Sequence, residues 1–365
     1  MELKWVCLLH CLYDAADNRT TPELQPVWNN LLKRLDGVSR EYDGFGRMTV
    51  RHDTHRRVTQ RFSYDDEHCI SQVTIEGDAE YTRAEYRYDA LGRRTEKQVW
   101  RRHARKPERT QYAWSGLQMV GETSDSHPDA AVQYIYTENS YEPLARVDSH
   151  GEHADIFWYH TEINGLPDSV TDSNGETVWR GASTAWGRSL RESTPVNWDT
   201  PQNLRFQGQY LDRETGLHYN TFRYYDPAGG CYTQMDPIGL LGGLNTYIYV
   251  VDPLVWVDPL GLTGCNVKFS TKQLQKKFKH AIDFDVPGNA NKQGFEAFEN
   301  AMRNHIDLPD TTPIVGKYRW DQDVYHYYNP QTNLNVMTGM DGNFISGWKL
   351  SERQVTDLLE LGNVY

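Results

Sequence analysis

From Tyr13 to about residue 235, aromatic and β-branched residues alternate with polar ones in short runs bounded by Asp, Asn and Gly. Such a period of two predicts strands with one face turned inward. Two stretches, Glu41-Tyr-Asp-Gly-Phe-Gly-Arg-Met-Thr49 and Arg87-Tyr-Asp-Ala-Leu-Gly-Arg-Arg-Thr95, share the pattern Tyr-Asp-x-x-Gly-Arg-x-Thr. Tyr13-Asp-Ala-Ala-Asp-Asn-Arg-Thr20 and Phe62-Ser-Tyr-Asp65 are looser copies. The Asp offers a side-chain acceptor to turn amides, and the Gly accepts a positive φ. A single hairpin cannot bury its apolar face, whereas consecutive copies form a continuous sheet. A repetitive antiparallel β-sheet is therefore expected, with a conventional sandwich as the alternative.

The pattern changes after Pro253-Leu-Val-Trp-Val-Asp258-Pro259-Leu-Gly261-Leu262. Ser270 is placed to cap a helix reaching Ile282, with Leu274, Phe278 and Ile282 repeating every four residues. A second helix is expected over 293–306. Strands follow over 314–320, 324–328, 334–338 and 344–348, and Ser351 caps a last helix ending near Gly362. The fold class read from this is two-part: a repetitive antiparallel sheet, then a small α+β domain with helices against one side of an antiparallel sheet. The boundaries are 1–204 for the repeats, 205–262 for the junction block and 263–365 for the tail.

Charge sharpens that division. The net charge is −12, yet residues 263–365 hold 11 Lys/Arg against 12 Asp/Glu, so nearly all the acidity lies in the first part. Within the tail Lys268, Lys272, Lys276, Lys277 and Lys279 fall in twelve positions, a local basic patch. Five cysteines (Cys7, Cys11, Cys69, Cys231, Cys265) form no CxxC pair, which predicts reduced thiols and no zinc site. The apolar run Trp5–Tyr13 is too short to span a bilayer and reads as a strand.

The repeats resemble the YD repeats of Rhs proteins. Asp212-Arg-Glu-Thr-Gly-Leu-His-Tyr219, Arg223-Tyr-Tyr-Asp-Pro227, Asp236-Pro-Ile-Gly-Leu240 and the PxxxxDPxGL signature occur in that family's order. The resemblance implies a partial β-shell carrying a variable C-terminal toxin, and self-cleavage after Leu262 by a pair of carboxyls sharing a proton. Asp236 is the first choice; its partner is Glu214, Asp212, Asp226 or Asp258, and the last lies close enough to the bond to act only as shape. As turn formers, Asp226 and Asp252 have a structural reading too. The family's Gly-Arg-Phe/Tyr reads Gly230-Cys231-Tyr232 here, which removes an arginine.

In the tail, a histidine among lysines suits metal-free RNA cleavage: neutral imidazole removes the 2′-OH proton while ammonium groups offset charge on the phosphorus. Lys277-Phe-Lys-His-Ala-Ile-Asp-Phe284 and Phe344-Ile-Ser-Gly-Trp-Lys349, with Tyr327-Tyr-Asn-Pro330 and Leu334-Asn-Val336 between them, resemble the nuclease domain of colicin D. That resemblance implies tRNA cleavage in the anticodon loop. His280 would be the base, Lys277 and Lys279 would lie at the phosphate, and Lys272, Lys276, Ser346, Trp348 and Lys349 would hold RNA. Asp283 would orient His280. Asp285 stands where the family tends to have Gly. His305 and His326 read as structural, the latter as ready to face solvent as core.

The expectation is an interbacterial toxin needing no cofactor or metal, made in the producer cytoplasm and delivered by secretion into a target cell. Its partners would be tRNA, a cognate immunity protein and a type VI secretion spike or chaperone, with no membrane partner. The alternatives are a non-catalytic structural or adhesive remnant and a DNase.

Overall fold

The computed structural model describes residues 12–14, 16–21, 27–138, 140–194, 201–242, 245–250, 252–254, 256–262, 267, 269–306, 308, 310–319, 322–339 and 343–364. Most of the run Trp5–Tyr13, with Cys7 and Cys11, and also Thr263, Cys265 and Lys268 lie outside them. The chain forms two compact units, Met1–Gly264 and Cys265–Tyr365.

The first unit is built on one antiparallel sheet of fifteen strands, from Arg34–Leu35 to Ser189–Ser193, each pairing with its neighbours in sequence. The two repeats make the same turn. Asp43 Oδ1 accepts from the amides of Phe45 and Arg47, both at 2.9 Å, and Gly46 sits at φ 75°. Asp89 Oδ1 accepts from Leu91 and Arg93 at 2.9 and 3.0 Å, with Gly92 at φ 76°. The Gly-Arg arginine folds back onto its own Asp: Arg47 Nε donates to Asp43 at 2.8 Å and Arg93 Nε to Asp89 at 2.7 Å. Asp, Gly and Arg are thus one turn-closing unit.

The described residues of 201–262 pack on one face of this sheet. Their own small sheet pairs Tyr210–Asp212, Leu217–Asn220, Arg223–Asp226 and Cys231–Tyr232. Leu217, Tyr219 and Tyr224 join Met48, Val58, Phe62, Ile70 and Val73 in one buried cluster. Leu204 and Tyr210 join Tyr112, Tyr134, Val170 and Trp179 in another. The block is also tied down by enclosed charges. Arg94 Nη1 reaches Asp212 Oδ2 at 2.6 Å with both side chains 0 % exposed, and Lys97 Nζ reaches Asp212 at 3.0 Å and Glu214 at 3.2 Å. Arg40 reaches Asp226 at 2.6 Å.

The second unit has α1 (Thr271–Lys277), a 3₁₀ segment (Phe278–Phe284) and α2 (Lys292–Ile306). An antiparallel sheet of Thr312–Tyr318, Gln322–Tyr328, Leu334–Gly339 and Phe344–Lys349 follows, then α3 (Glu352–Leu361). Both expected caps form, and Ser351 with Gln354 makes a full capping box. Two expectations are corrected. The helices cover both faces of the sheet: Gly347 faces Met302 of α2 and Phe284, whereas Tyr328 and Trp348 lie on the other face, packed with Leu358 of α3. The first helix also stops being α at Phe278. Ile282 is consequently 67 % exposed, and Ala281 and Phe284 are buried in its place.

Candidate functional site

A 3₁₀ segment has three residues per turn, so side chains three apart eclipse one another. Phe278, Ala281 and Phe284 therefore share the inward row, with Phe278 and Phe284 edge-on to Phe298 at 6.0 and 5.7 Å. The same period sets Lys277, His280 and Asp283 in an adjacent row. His280 Nδ1 lies 3.4 Å from Asp283 Oδ2, and its ring centroid is 6.3 Å from that of Trp348 on the edge strand. Asp285 ends the segment at φ 57°, the left-handed conformation that the glycine of the family pattern would adopt easily.

His280 is half-buried, and its pKa falls below the ordinary imidazole value. Desolvation is the main cause, Lys279 and Lys277 push the same way, and Asp283 opposes them. The Lys277 ammonium is likewise lowered, by desolvation and then by Arg319, Lys279 and Lys276. Arg319, expected inside a strand over 314–320, instead follows the Thr312–Tyr318 strand at φ 33° and adds a cation to the cluster. Lys272, Lys276, Lys279 and Lys349 are exposed. Ser346 shares the sheet face of Trp348 but is only 3 % exposed, so it is enclosed in this conformation.

The other two histidines of the second unit, His305 and His326, are core. His305 Nε2 meets the Tyr327 carbonyl at 2.9 Å, a strand carbonyl and not one of its own helix end. His326 is buried with Nδ1 3.2 Å from the Asn335 amide, and burial lowers its pKa to about 4, which corrects the solvent-facing option.

At the junction, Arg223 gathers two carboxylates: Asp236 Oδ2 at 3.0 Å and Asp258 Oδ2 at 3.5 Å. Cys231, at the family's Gly-Arg position, lies instead beside Asp226 and Arg40. Asp258 Oδ1 accepts from the amides of Gly261 and Leu262 at 2.9 and 3.0 Å, and Tyr232 Oη donates to Asp258 Oδ2 at 2.8 Å. Burial pushes the Asp236 pKa up to about 7; the nearby Asp258 adds to this and Arg223 opposes it. Glu214 is not part of this centre, a correction to the expected partners. It sits with Lys97 and accepts from Tyr86 Oη at 3.0 Å. Asp212 is taken by Arg94 and Lys97. Asp226 is held near 2 because Arg40 and Arg51 outweigh its burial, and its Oδ1 accepts a turn amide from Ala228. Asp252 likewise accepts the Leu254 amide at 3.0 Å, a turn-forming role.

Among the described residues no group of three or more His, Cys, Asp and Glu is placed to hold a metal ion. No helix among them is long and apolar enough to cross a membrane.

Comparison with known proteins follows this division. The Colicin D family model matches residues 273–358 and the RHS protein model residues 156–193. "Double-stranded DNA deaminase toxin A" of Burkholderia cenocepacia (strain H111) is 38 % identical over 259 residues, 65 % of this chain and 18 % of that protein. "Probable deoxyribonuclease RhsB" of Dickeya dadantii (strain 3937) is 30 % identical over 325 residues, 85 % of this chain and 21 % of that protein. The chain thus spans about a fifth of the length of these curated relatives. A solved "Ribonuclease from Escherichia coli complexed with its inhibitor protein" is 34 % identical, covering 25 % of this chain and 100 % of that one, with a TM-score of 0.23.

Proposed function

Because the chain belongs to the Rhs family and ends in a colicin D domain, we propose that it is an interbacterial toxin whose tail cuts tRNA in the anticodon loop without a metal. The observation that carries this reading is the row Lys277–His280–Asp283: a half-exposed imidazole kept neutral by desolvation and flanking cations, beside an indole. Asp283 at Nδ1 favours the tautomer with its proton there, leaving Nε2 to take the 2′-OH proton. The 2′-oxygen attacks phosphorus and the 5′-oxygen leaves, taking up a proton from water or a neighbouring ammonium, giving a 2′,3′-cyclic phosphate and a 5′-OH. Lys277, Lys279 and Arg319 offset the growing negative charge, and Trp348 stacks an unpaired base. Lys272, Lys276 and Lys349 follow the backbone, and Ser346 contributes once the strand edge adjusts to RNA. The test is full-length chain with total tRNA in EDTA. The wild type is expected to cut, and His280→Ala to lose roughly a thousandfold; equal cutting by both would refute the assignment.

A deoxyribonuclease is the second reading, motivated by the name of the RhsB relative, whose match covers a larger share of this chain than residues 1–264 make up. A base acting on a 2′-hydroxyl has no target in DNA, so duplex DNA left intact where tRNA is cut separates the two.

In this reading residues 1–204 are a carrier fragment, 205–262 the junction and 263–365 the toxin. The protein is made in the producer cytoplasm and delivered by a secretion apparatus such as type VI. An immunity protein protects the producer, its acidic face set against the Lys272–Lys279 patch in imitation of an RNA backbone. We further infer self-cleavage after Leu262 through Asp236, with Asp258 at the same site. A free fragment beginning at Thr263 would be its mark.

A further inference from the structure

The 3₁₀ segment that carries His280 is docked on the edge strand Phe344–Lys349 at two points. The first follows from a bulge. Met337 pairs with Ser346 and Thr338 with Phe344, so Ile345 is an extra residue with no opposite number across the ladder. A bulge bends its strand and leaves backbone groups outside the ladder. The side-chain amide of Gln273, on α1, donates to the Ile345 carbonyl. Because α1 runs directly into the 3₁₀ segment, this bond ties the start of the segment to the strand.

The second point is apolar. Phe284, the last residue of the segment, leans on Gly347, two residues beyond Ile345. A Cβ added at Gly347 would stand 3.2 and 3.4 Å from atoms of the Phe284 ring and 2.9 Å from the Met302 sulfur. Neither neighbour is free to retreat. Met302 is 0 % exposed, and the Phe284 ring is edge-on to both Phe298 and His305, with centroids 5.7 Å away in each case. A close-packed interior passes such a displacement on instead of absorbing it. Gly347 is not at a positive φ, so its backbone does not call for glycine; the close approach does. Phe278, at the opposite end of the segment, likewise lies 3.0 Å from where a Cβ of Gly294 would stand. That Cβ would also strike the Asn289 carbonyl of its own turn, so Gly347 is the cleaner seat to test.

His280 lies between the two points in sequence, and its ring centroid is 6.3 Å from that of Trp348, the residue next to Gly347. We propose that Gln273 and Gly347 are positioning residues for RNA cleavage: the Gln273 hydrogen bond to Ile345 and the bare Cα under Phe284 together set how far the imidazole stands from the indole. This rests on the tRNA-cleavage reading and adds to it two uncharged residues that need touch no RNA. The base must meet the 2′-hydroxyl while the neighbouring nucleotide is held on the indole, so the spacing of the two rings is part of the chemistry. A misplacement of about 1 Å at such a site can cost about a hundredfold in rate.

Two measurements on the full-length chain test this. The first is steady-state cutting of unfractionated tRNA in EDTA. Gly347→Ala should lower kcat by about a hundredfold, and Gln273→Met by about tenfold. KM should stay unchanged in both, as expected when alignment and not binding is lost. The second is the nuclear Overhauser cross-peak between the His280 and Trp348 rings, read without RNA in chain labelled at His and Trp. It should be present in the wild type, absent from His280→Gln and weakened in both positioning variants. Wild-type kcat in both variants, or a raised KM with kcat unchanged, overturns the proposal. So does a full-strength cross-peak in a variant that has lost kcat, because the loss then has another cause. Should Gly347→Ala fail to fold, Gln273→Met decides alone. A wild type that cuts no tRNA refutes the ribonuclease reading instead, and the cross-peaks still decide whether these two residues set the ring spacing.

Discussion

The junction and the tail place titratable groups in opposite surroundings. At the junction, carboxylates are enclosed around one guanidinium, and burial drives the Asp236 pKa upward to about 7. In the tail, an imidazole sits half-open among cations, and the same desolvation drives its pKa downward. Burial opposes charge in both places, so it raises an acid and lowers a base: the carboxyl holds its proton closer to neutral pH, and the imidazole stays unprotonated there. The difference lies in access. The enclosed centre suits a bond within its own chain, whereas the open one suits a macromolecular substrate.

The contrast extends to the buried pairs that tie the junction block to the repeat sheet, and breaking one should give the largest effect. Arg94→Met would leave Asp212 enclosed with Lys97 alone, and a loss of about 3–5 kcal/mol is expected in urea unfolding of the first unit. A loss under about 1 kcal/mol would mean that these ions do not anchor the block.

The second unit should answer to pH. The His326 pKa lies near 4 in the folded chain against an ordinary 6.5, so protonation favours the unfolded state. Its neutral form is fully present above about 6.5, and stability is lost as pH falls from there toward 4, by up to about 3 kcal/mol. Thermal melts of the chain and of His326→Asn across that window check this; a wild-type slope no steeper than the variant's would contradict it.

Smaller effects sharpen the tail site. Removing the Lys277 charge should raise the His280 pKa, so Lys277→Ala should move the acid limb of the tRNA-cleavage profile to higher pH and cut activity about tenfold. Asp283→Asn removes the opposing charge and should move that limb to lower pH. Shifts of the same sign would break the electrostatic account. The smallest effect is expected at the exposed Lys292–Glu296 pair, 3.9 Å apart, where Glu296→Ala should change stability by less than about 0.5 kcal/mol.

Much of this architecture was legible before any coordinates. The Tyr-Asp-x-x-Gly-Arg pattern carries its own turn chemistry, and Ser270, Ser351 and Gly362 mark helix ends by local rules. What was not legible depends on distant partners. The spacing of Leu274, Phe278 and Ile282 continues an α period, but packing of Phe284 on Phe298 selects the tighter 3₁₀ turn that aligns His280 with Lys277 and Asp283. Glu214 looked equivalent to Asp258 in sequence; only the fold gives it to Lys97 and Tyr86. Arg319 was hidden because a strand was carried through a turn. His326 alternates with aromatics, a pattern that fixes its face only once helices cover both sides of the sheet.

The most direct test of the central claim is the chemistry of the cut ends, read after the full-length chain acts on tRNA in EDTA. A neutral imidazole drawing the proton from a 2′-hydroxyl predicts 2′,3′-cyclic phosphate and 5′-hydroxyl termini, absent with His280→Ala. Termini bearing a 3′-hydroxyl and a 5′-phosphate, or cleavage that appears only when a divalent metal is restored, would contradict it.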